Sequence, residues 1–235
     1  MNLPDRIDKL LTALKWPAAL LSCLLLIPLT WSVAKLGVRV VFDPIPLLPM
    51  ALGTAAFVFL WRRYLGQSRF GRLFMIFEHE LTHALFAVAT LHRIVGFRAS
   101  VGRGGEVRFA GTGNWLITVA PYFFPTVALL LFLLAYLMPL AAFPWQRFLL
   151  GVALGYHVVS TYRETHRDQT DITRLGSTFC WLFLPAANVA VVGLLVAFAH
   201  DPSSGIGNWF GDIIAPLRWT WARVETLWEP GLPDV

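Results

Sequence analysis

Phe77-Glu78-His79-Glu80-Leu81-Thr82-His83-Ala84-Leu85-Phe86 lies in the middle of an otherwise apolar run from about Arg72 to Leu91. That run has the length of a helix crossing a bilayer, about 20 residues. Glu78, His79, Glu80 and His83 therefore fall near the centre of a predicted span. Each ionisable group at that depth costs about 2.5–3.5 kcal/mol even on the lenient insertion scale. Such a cluster needs a partner that satisfies several groups at once, and a metal ion does so. His79 and His83 stand at i and i+4, one above the other on a single helix face, so both imidazoles can reach one ion.

The remainder of the chain agrees with a membrane setting. Of its 235 residues, 57% are hydrophobic and 14% charged, outside the usual range of a soluble globular domain. This length holds about five to seven spans of roughly 20 residues with short links, so one membrane-embedded domain over residues 1–235 is expected. The expected fold class is an all-α integral membrane protein of about six transmembrane helices, with one short β-hairpin after the third and interfacial helices at both termini.

Residues 1–15 alternate Asp5, Arg6, Asp8, Lys9 and Lys15 with Ile7, Leu10, Leu11 and Leu14, which reads as an interfacial N-terminal helix. Trp16 to Ala34 is uncharged, too long for a signal-peptide core and without a small-residue cleavage site, hence a retained span. Pro44 to Trp61 is the second, ending on the interface anchor Trp61-Arg62-Arg63. After the third span, Val95, Phe97, Ala99 and Val101 alternate with polar or small residues. Gly102-Arg103-Gly104-Gly105 then turns the chain before Val107 and Phe109, giving a hairpin over Val95 to Phe109. A long span from about Trp115 to Leu140, a turn near Pro144, a fifth span from about Phe148 to Tyr162 and a sixth from Leu175 to Ala199 complete the set. Residues 72–199 form the expected catalytic core. The tail, 200–235, carries Trp209, Trp219, Trp221 and Trp228 and suits a helix lying at the interface.

A net charge of +5 comes from arginines spread over many loops, a pattern that meets lipid phosphates and carries no nucleic-acid signal. Six spans would place ten Lys or Arg on one side and the remaining nine on the other, so charge assigns no orientation. Cys23 and Cys180 sit far apart in apolar stretches, as inert thiols do. The expected location is a cell membrane, crossed several times, with the bilayer itself as a partner.

Glu80 projects to the side of the imidazole pair, close enough to act on a water without being a ligand. In hydrolases built this way one zinc ion lowers the pKa of its water towards ~7 and polarises the scissile carbonyl. Glu80 takes the water's proton and passes it to the leaving amine. Polar residues facing a watery cavity are the plainer explanation, against which the cost of mid-bilayer ionisable groups weighs.

Phe77 to Phe86 inside a predicted span, followed by a hairpin and further spans, resembles the site-2 protease family of intramembrane zinc metallopeptidases; the resemblance covers roughly Arg72 to Leu195. It implies hydrolysis of a peptide bond in a membrane or membrane-adjacent protein substrate, with zinc held by the two motif histidines and an aspartate from a later helix. On that ground Asp171, in Gln169-Thr170-Asp171-Ile172 ahead of an apolar span, is the first choice for third ligand. Asp168 and His157 are its rivals, His157 because its depth in the fifth span is similar to that of His79 in the third. A loop carboxylate between Arg167 and Arg174 is ordinarily solvated, and a lone histidine in an apolar span is ordinarily a hydrogen-bonded core residue.

The family also places an asparagine or similar donor near a Gly-Pro segment to hold the substrate carbonyl. Ala120-Pro121-Tyr122-Phe123-Phe124-Pro125-Thr126 occupies the matching place without an asparagine, and the family's Asn-Pro-Asp-Gly type of sequence is missing. Asn114, Tyr122 or Thr126 could substitute, although capping and packing explain them equally well.

A non-catalytic membrane protein using the same ligands for metal storage, transport or scaffolding is the competing function. A transporter carries ionisable residues along a pathway through several spans, and apart from His157 the other spans have almost none. Substrate binding falls to the hairpin, whose free edge could receive an unwound substrate strand. Arg98, Arg103 and Arg108 suit a solvated turn as well.

Overall fold

In a computed structural model, which describes residues 2–137, 143–166 and 169–228, the chain is mainly helical with a small two-stranded antiparallel sheet. It opens with α1 (Leu3–Phe42), one continuous helix. The expected interfacial segment over residues 1–15 is thus continuous with the first long helix and not a separate element. Its polar face is used within the protein: Asp8 is buried and accepts hydrogen bonds from Thr112 (3.0 Å) and Asn114 (2.8 Å), with His92 at 3.1 Å. Arg6 and Lys9 on the same stretch remain exposed.

α2 (Leu48–Arg63) and α3 (Arg69–Ala89) follow. Ser68 caps α3 by accepting from the Gly71 amide at 2.9 Å. The hairpin forms as expected from β1 (Ile94–Ser100) and β2 (Gly104–Phe109), with Phe97 opposite Val107 and Ser100 opposite Gly104.

The fourth expected span departs from the sequence reading. α4 (Trp115–Val119) and a short turn to Tyr122 lead into α5 (Thr126–Tyr136) through a 74° bend. Pro121 and Pro125 explain the break, since each lacks an amide proton and Pro125 disfavours helical geometry at the residue before it. The far end of that predicted span, to Leu140, lies outside the described residues. α6 (Phe143–Glu164), α7 (Thr170–Leu175), α8 (Ser177–His200) and α9 (Gly205–Trp228) complete the chain. Gly176, at φ +86°, makes the left-handed step between α7 and α8 that a side chain would resist.

Among the described residues, three helices are long and apolar enough to cross a membrane, Leu3–Phe42, Ile45–Arg63 and Ser177–His200, or four if the bent pair counts as one span. α3 and α6 are long enough at 21 and 22 residues but carry charged and polar residues, among them Glu78, His79, Glu80 and His83 in α3 and His157 and Glu164 in α6. The tail is better integrated than expected: Trp209 is buried against Gly193, and its carbonyl accepts from Ser32 at 3.0 Å, while Trp219 and Trp221 remain exposed.

α2 and α6 meet backbone to backbone. A Cβ at Gly53 would lie 2.0 Å from the Phe148 carbonyl oxygen, and one at Gly151 2.0 Å from that of Met50. Small residues allow such approach between helices in lipid. Gly151→Leu should therefore destabilise the protein by about 3 kcal/mol or more, read as earlier loss of helical signal on heating in detergent. A melting profile equal to wild type would show that the interface yields.

Candidate active site

His79, Glu80 and His83 come from the middle of α3. The side chains of His79 and His83 are about one-eighth exposed, and Asp171, from the first turn of α7, about one-fifth. Nε2 of His79 and Nε2 of His83 are 3.2 Å apart, and Oδ2 of Asp171 lies 3.5 Å from the first and 3.2 Å from the second. Three donors of a tetrahedral zinc site with bonds of about 2.0–2.1 Å stand about 3.3–3.4 Å from one another. The observed triangle has that size.

The opposite ring nitrogens are both occupied. Nδ1 of His83 donates to the Ile117 carbonyl at 2.7 Å, and Nδ1 of His79 meets Oε2 of Glu164 at 2.8 Å. A carbonyl oxygen only accepts, so the His83 proton resides on Nδ1, and a neutral imidazole then turns its lone pair inward on Nε2. Lone pairs and a carboxylate facing one another at this distance call for positive charge between them, whether shared protons or a cation. Burial works against ionisation of Asp171, but its contacts with His79 and then His83 outweigh it and hold the carboxyl below the usual carboxylate range. His79, His83 and Asp171 are the group of donors among the described residues that could hold a metal ion.

Asp171 is well supported in place. Lys15 of α1 donates to the carbonyl of Leu175 at 2.7 Å, satisfying the carboxyl end of α7, and the Tyr122 hydroxyl donates to Oδ2 of Asp171 at 3.2 Å. The donors line a cleft of about 550 Å³ together with Glu80, Glu164, Gln169 and the β2 residues Gly105, Glu106, Val107 and Phe109. Glu80 lies against β2 so closely that a Cβ on Gly105 would be 2.1 Å from its Oε1.

A family model described as peptidase M50B-like matches residues 50–199, from α2 to the end of α8. The chain belongs to this family. No curated protein and no solved structure matches it.

In this M50B-like chain the remaining candidates from the sequence lie elsewhere. His157 is buried in α6 and pairs with Asn188 of α8, Nε2 to Oδ1 at 3.2 Å, outside the donor group. Asn188 donates in turn to the Tyr122 carbonyl at 3.0 Å, which makes His157 a prop of the segment carrying Tyr122. Asp168 falls outside the described residues. Asn114 caps α4 and holds Asp8; Thr126 meets Thr82 at 2.5 Å; and Tyr122 is fully buried, with its hydroxyl on Asp171. Each of these three has a structural task in hand.

Sequence reasoning missed Glu164 and Asn188 as neighbours of the site and gave Glu78 no partner. Glu78 accepts from the Tyr156 hydroxyl at 3.2 Å and from Thr82 at 3.4 Å, which ties the back of α3 to α6. Glu164 carried one signal: an acid as the last residue of a helix, where the helix dipole disfavours it.

Proposed function

We propose that this protein is a membrane-embedded zinc endopeptidase that hydrolyses a peptide bond of a membrane or membrane-adjacent protein. The observation that carries the reading is the triangle of Nε2, Nε2 and Oδ2 at 3.2–3.5 Å, with Glu80 beside it in the same cleft. Bound by His79, His83 and Asp171, zinc supplies Lewis acidity towards water and the scissile carbonyl.

The chain's own residues divide the remaining work. Ile117 and Glu164 fix the two imidazoles by their outer nitrogens, so both donors face inward before a metal arrives. Glu80 accepts the proton of the attacking water on its carboxylate and delivers it to the leaving nitrogen. A substrate helix hides its peptide groups in its own hydrogen bonds, so it must unwind locally and find new partners. β2 borders the cleft and is paired on one edge by β1, leaving its other edge to receive an unwound strand. Arg98 and Glu106, opposite each other in the hairpin and about half exposed, bridge the two paired strands at 2.9 Å.

The purified chain should contain one zinc ion and cleave reconstituted membrane-protein substrates. A chelator should abolish cleavage and added zinc restore it. Asp171→Ala should weaken zinc binding about 100-fold or more, as loss of a direct ligand does, whereas His157→Ala should keep the metal and lower stability. If His157→Ala empties the site and Asp171→Ala leaves it full, the ligand assignment is wrong.

A further inference from the structure

We infer that Glu164 is a positioning residue that holds His79 in its metal-binding orientation and makes its Nε2 the stronger donor of the pair. The inference rests on the zinc site proposed above. Oε2 of Glu164 lies 2.8 Å from Nδ1 of His79, the nitrogen turned away from the donor triangle, so the carboxylate stands behind the ring and not among the ligands.

The two imidazoles are supported differently. His83 is held by the Ile117 carbonyl, a neutral acceptor that no side-chain substitution removes. His79 is held by a carboxylate, and a charge-assisted bond at this length is about twice as strong as a neutral one. Negative charge on Nδ1–H raises the basicity of Nε2 across the ring and fixes the tautomer.

The position of Glu164 is otherwise unfavourable, which argues that the contact with His79 is what keeps it there. It is the last residue of α6, where the helix dipole disfavours an anion, and its side chain is only 13% exposed. Glu78 and Glu80 lie within electrostatic reach and are themselves acids. Among the described residues, the His79 imidazole is the hydrogen-bond partner of its carboxylate.

The test is zinc affinity of the full-length chain in detergent, measured by competition with a chromophoric chelator, together with the visible spectrum of the cobalt-substituted protein. Glu164→Ala should weaken zinc binding about 10- to 100-fold and shift the cobalt bands. Glu164→Gln should recover only part of the affinity, because its amide oxygen still accepts from Nδ1 but brings no negative charge, and a Gln variant equal to wild type would overturn the donor-strength part of the inference. Glu164→Asp, which keeps the charge but withdraws it by one methylene, should fall between. Affinity of Glu164→Ala within about twofold of wild type, against the larger change expected of an outer-shell partner, overturns the inference while leaving the zinc site standing. Glu164→Gln binding no more tightly than Glu164→Ala overturns it too. A wild-type chain that takes up neither zinc nor cobalt removes the site itself and the inference with it.

Discussion

Glu80→Gln is expected to keep zinc and lose hydrolysis, by about 100- to 10,000-fold if the carboxylate carries the proton. His79→Ala and His83→Ala are expected to lose the metal and, with it, all activity. The contrast follows from position: the histidines offer the inward nitrogens of the triangle, whereas Glu80 lies beside them against β2. Glutamine keeps the shape and the packing against Gly105 but can neither accept nor return a proton at neutral pH. Metal analysis and a cleavage assay on the same preparations decide the matter. Full zinc occupancy in both histidine variants would remove the site, and an active Glu80→Gln would leave the metal without its proton carrier.

Gly105→Val should be nearly as damaging, although this residue makes no polar contact with the donors. Its Cβ would lie 2.1 Å from Oε1, 2.4 Å from Cγ and 2.5 Å from Cδ of Glu80, so either the carboxylate or β2 must move. A displacement of this order near the reacting atoms costs about 100-fold in rate. Zinc content should be unchanged, since no ligand is touched. Gly102→Ala is the control: a Cβ there meets nothing within 4 Å and the backbone is not in the left-handed region, so near wild-type activity is expected. Equal activity in the two variants would mean that Glu80 is free to swing away from the hairpin without consequence.

Gly105 also illustrates what a sequence can and cannot disclose. Gly102-Arg103-Gly104-Gly105 reads correctly as the reversal of a hairpin, but nothing local says that the last glycine is small for the sake of a glutamate some two dozen residues earlier. The motif helix is legible because its spacing is periodic and its polar residues interrupt an otherwise apolar run. Pro121 and Pro125 are visible in the sequence, yet the length of the surrounding apolar run suggests one straight span where the chain turns through 74°. Asp171 comes from resemblance, and its company of Lys15, Tyr122 and the histidines comes from folding. Glu164 and Asn188 escape for the same reason. Their roles depend on which helices become neighbours, and helix faces in an apolar chain carry little periodic signal of their own.

In the membrane endopeptidase proposed above, the unbroken first helix would also work as a depth gauge. With 40 residues it is about 60 Å long, roughly twice the hydrocarbon thickness, and only the stretch from Trp16 to Ala34 is uncharged. The base of the hairpin is tied to Asp8, α4 to Leu11 and α7 to Lys15, all on the stretch just outside that uncharged length. The scissile position of a substrate helix standing alongside would be set near the rim of the oily layer, within a turn or two of its last apolar residue, where strands can unwind into water at small cost. Lengthening α1 between Lys15 and Trp16 by one helical turn would slide that rim by about 5 Å and move the cut along the substrate by the same step.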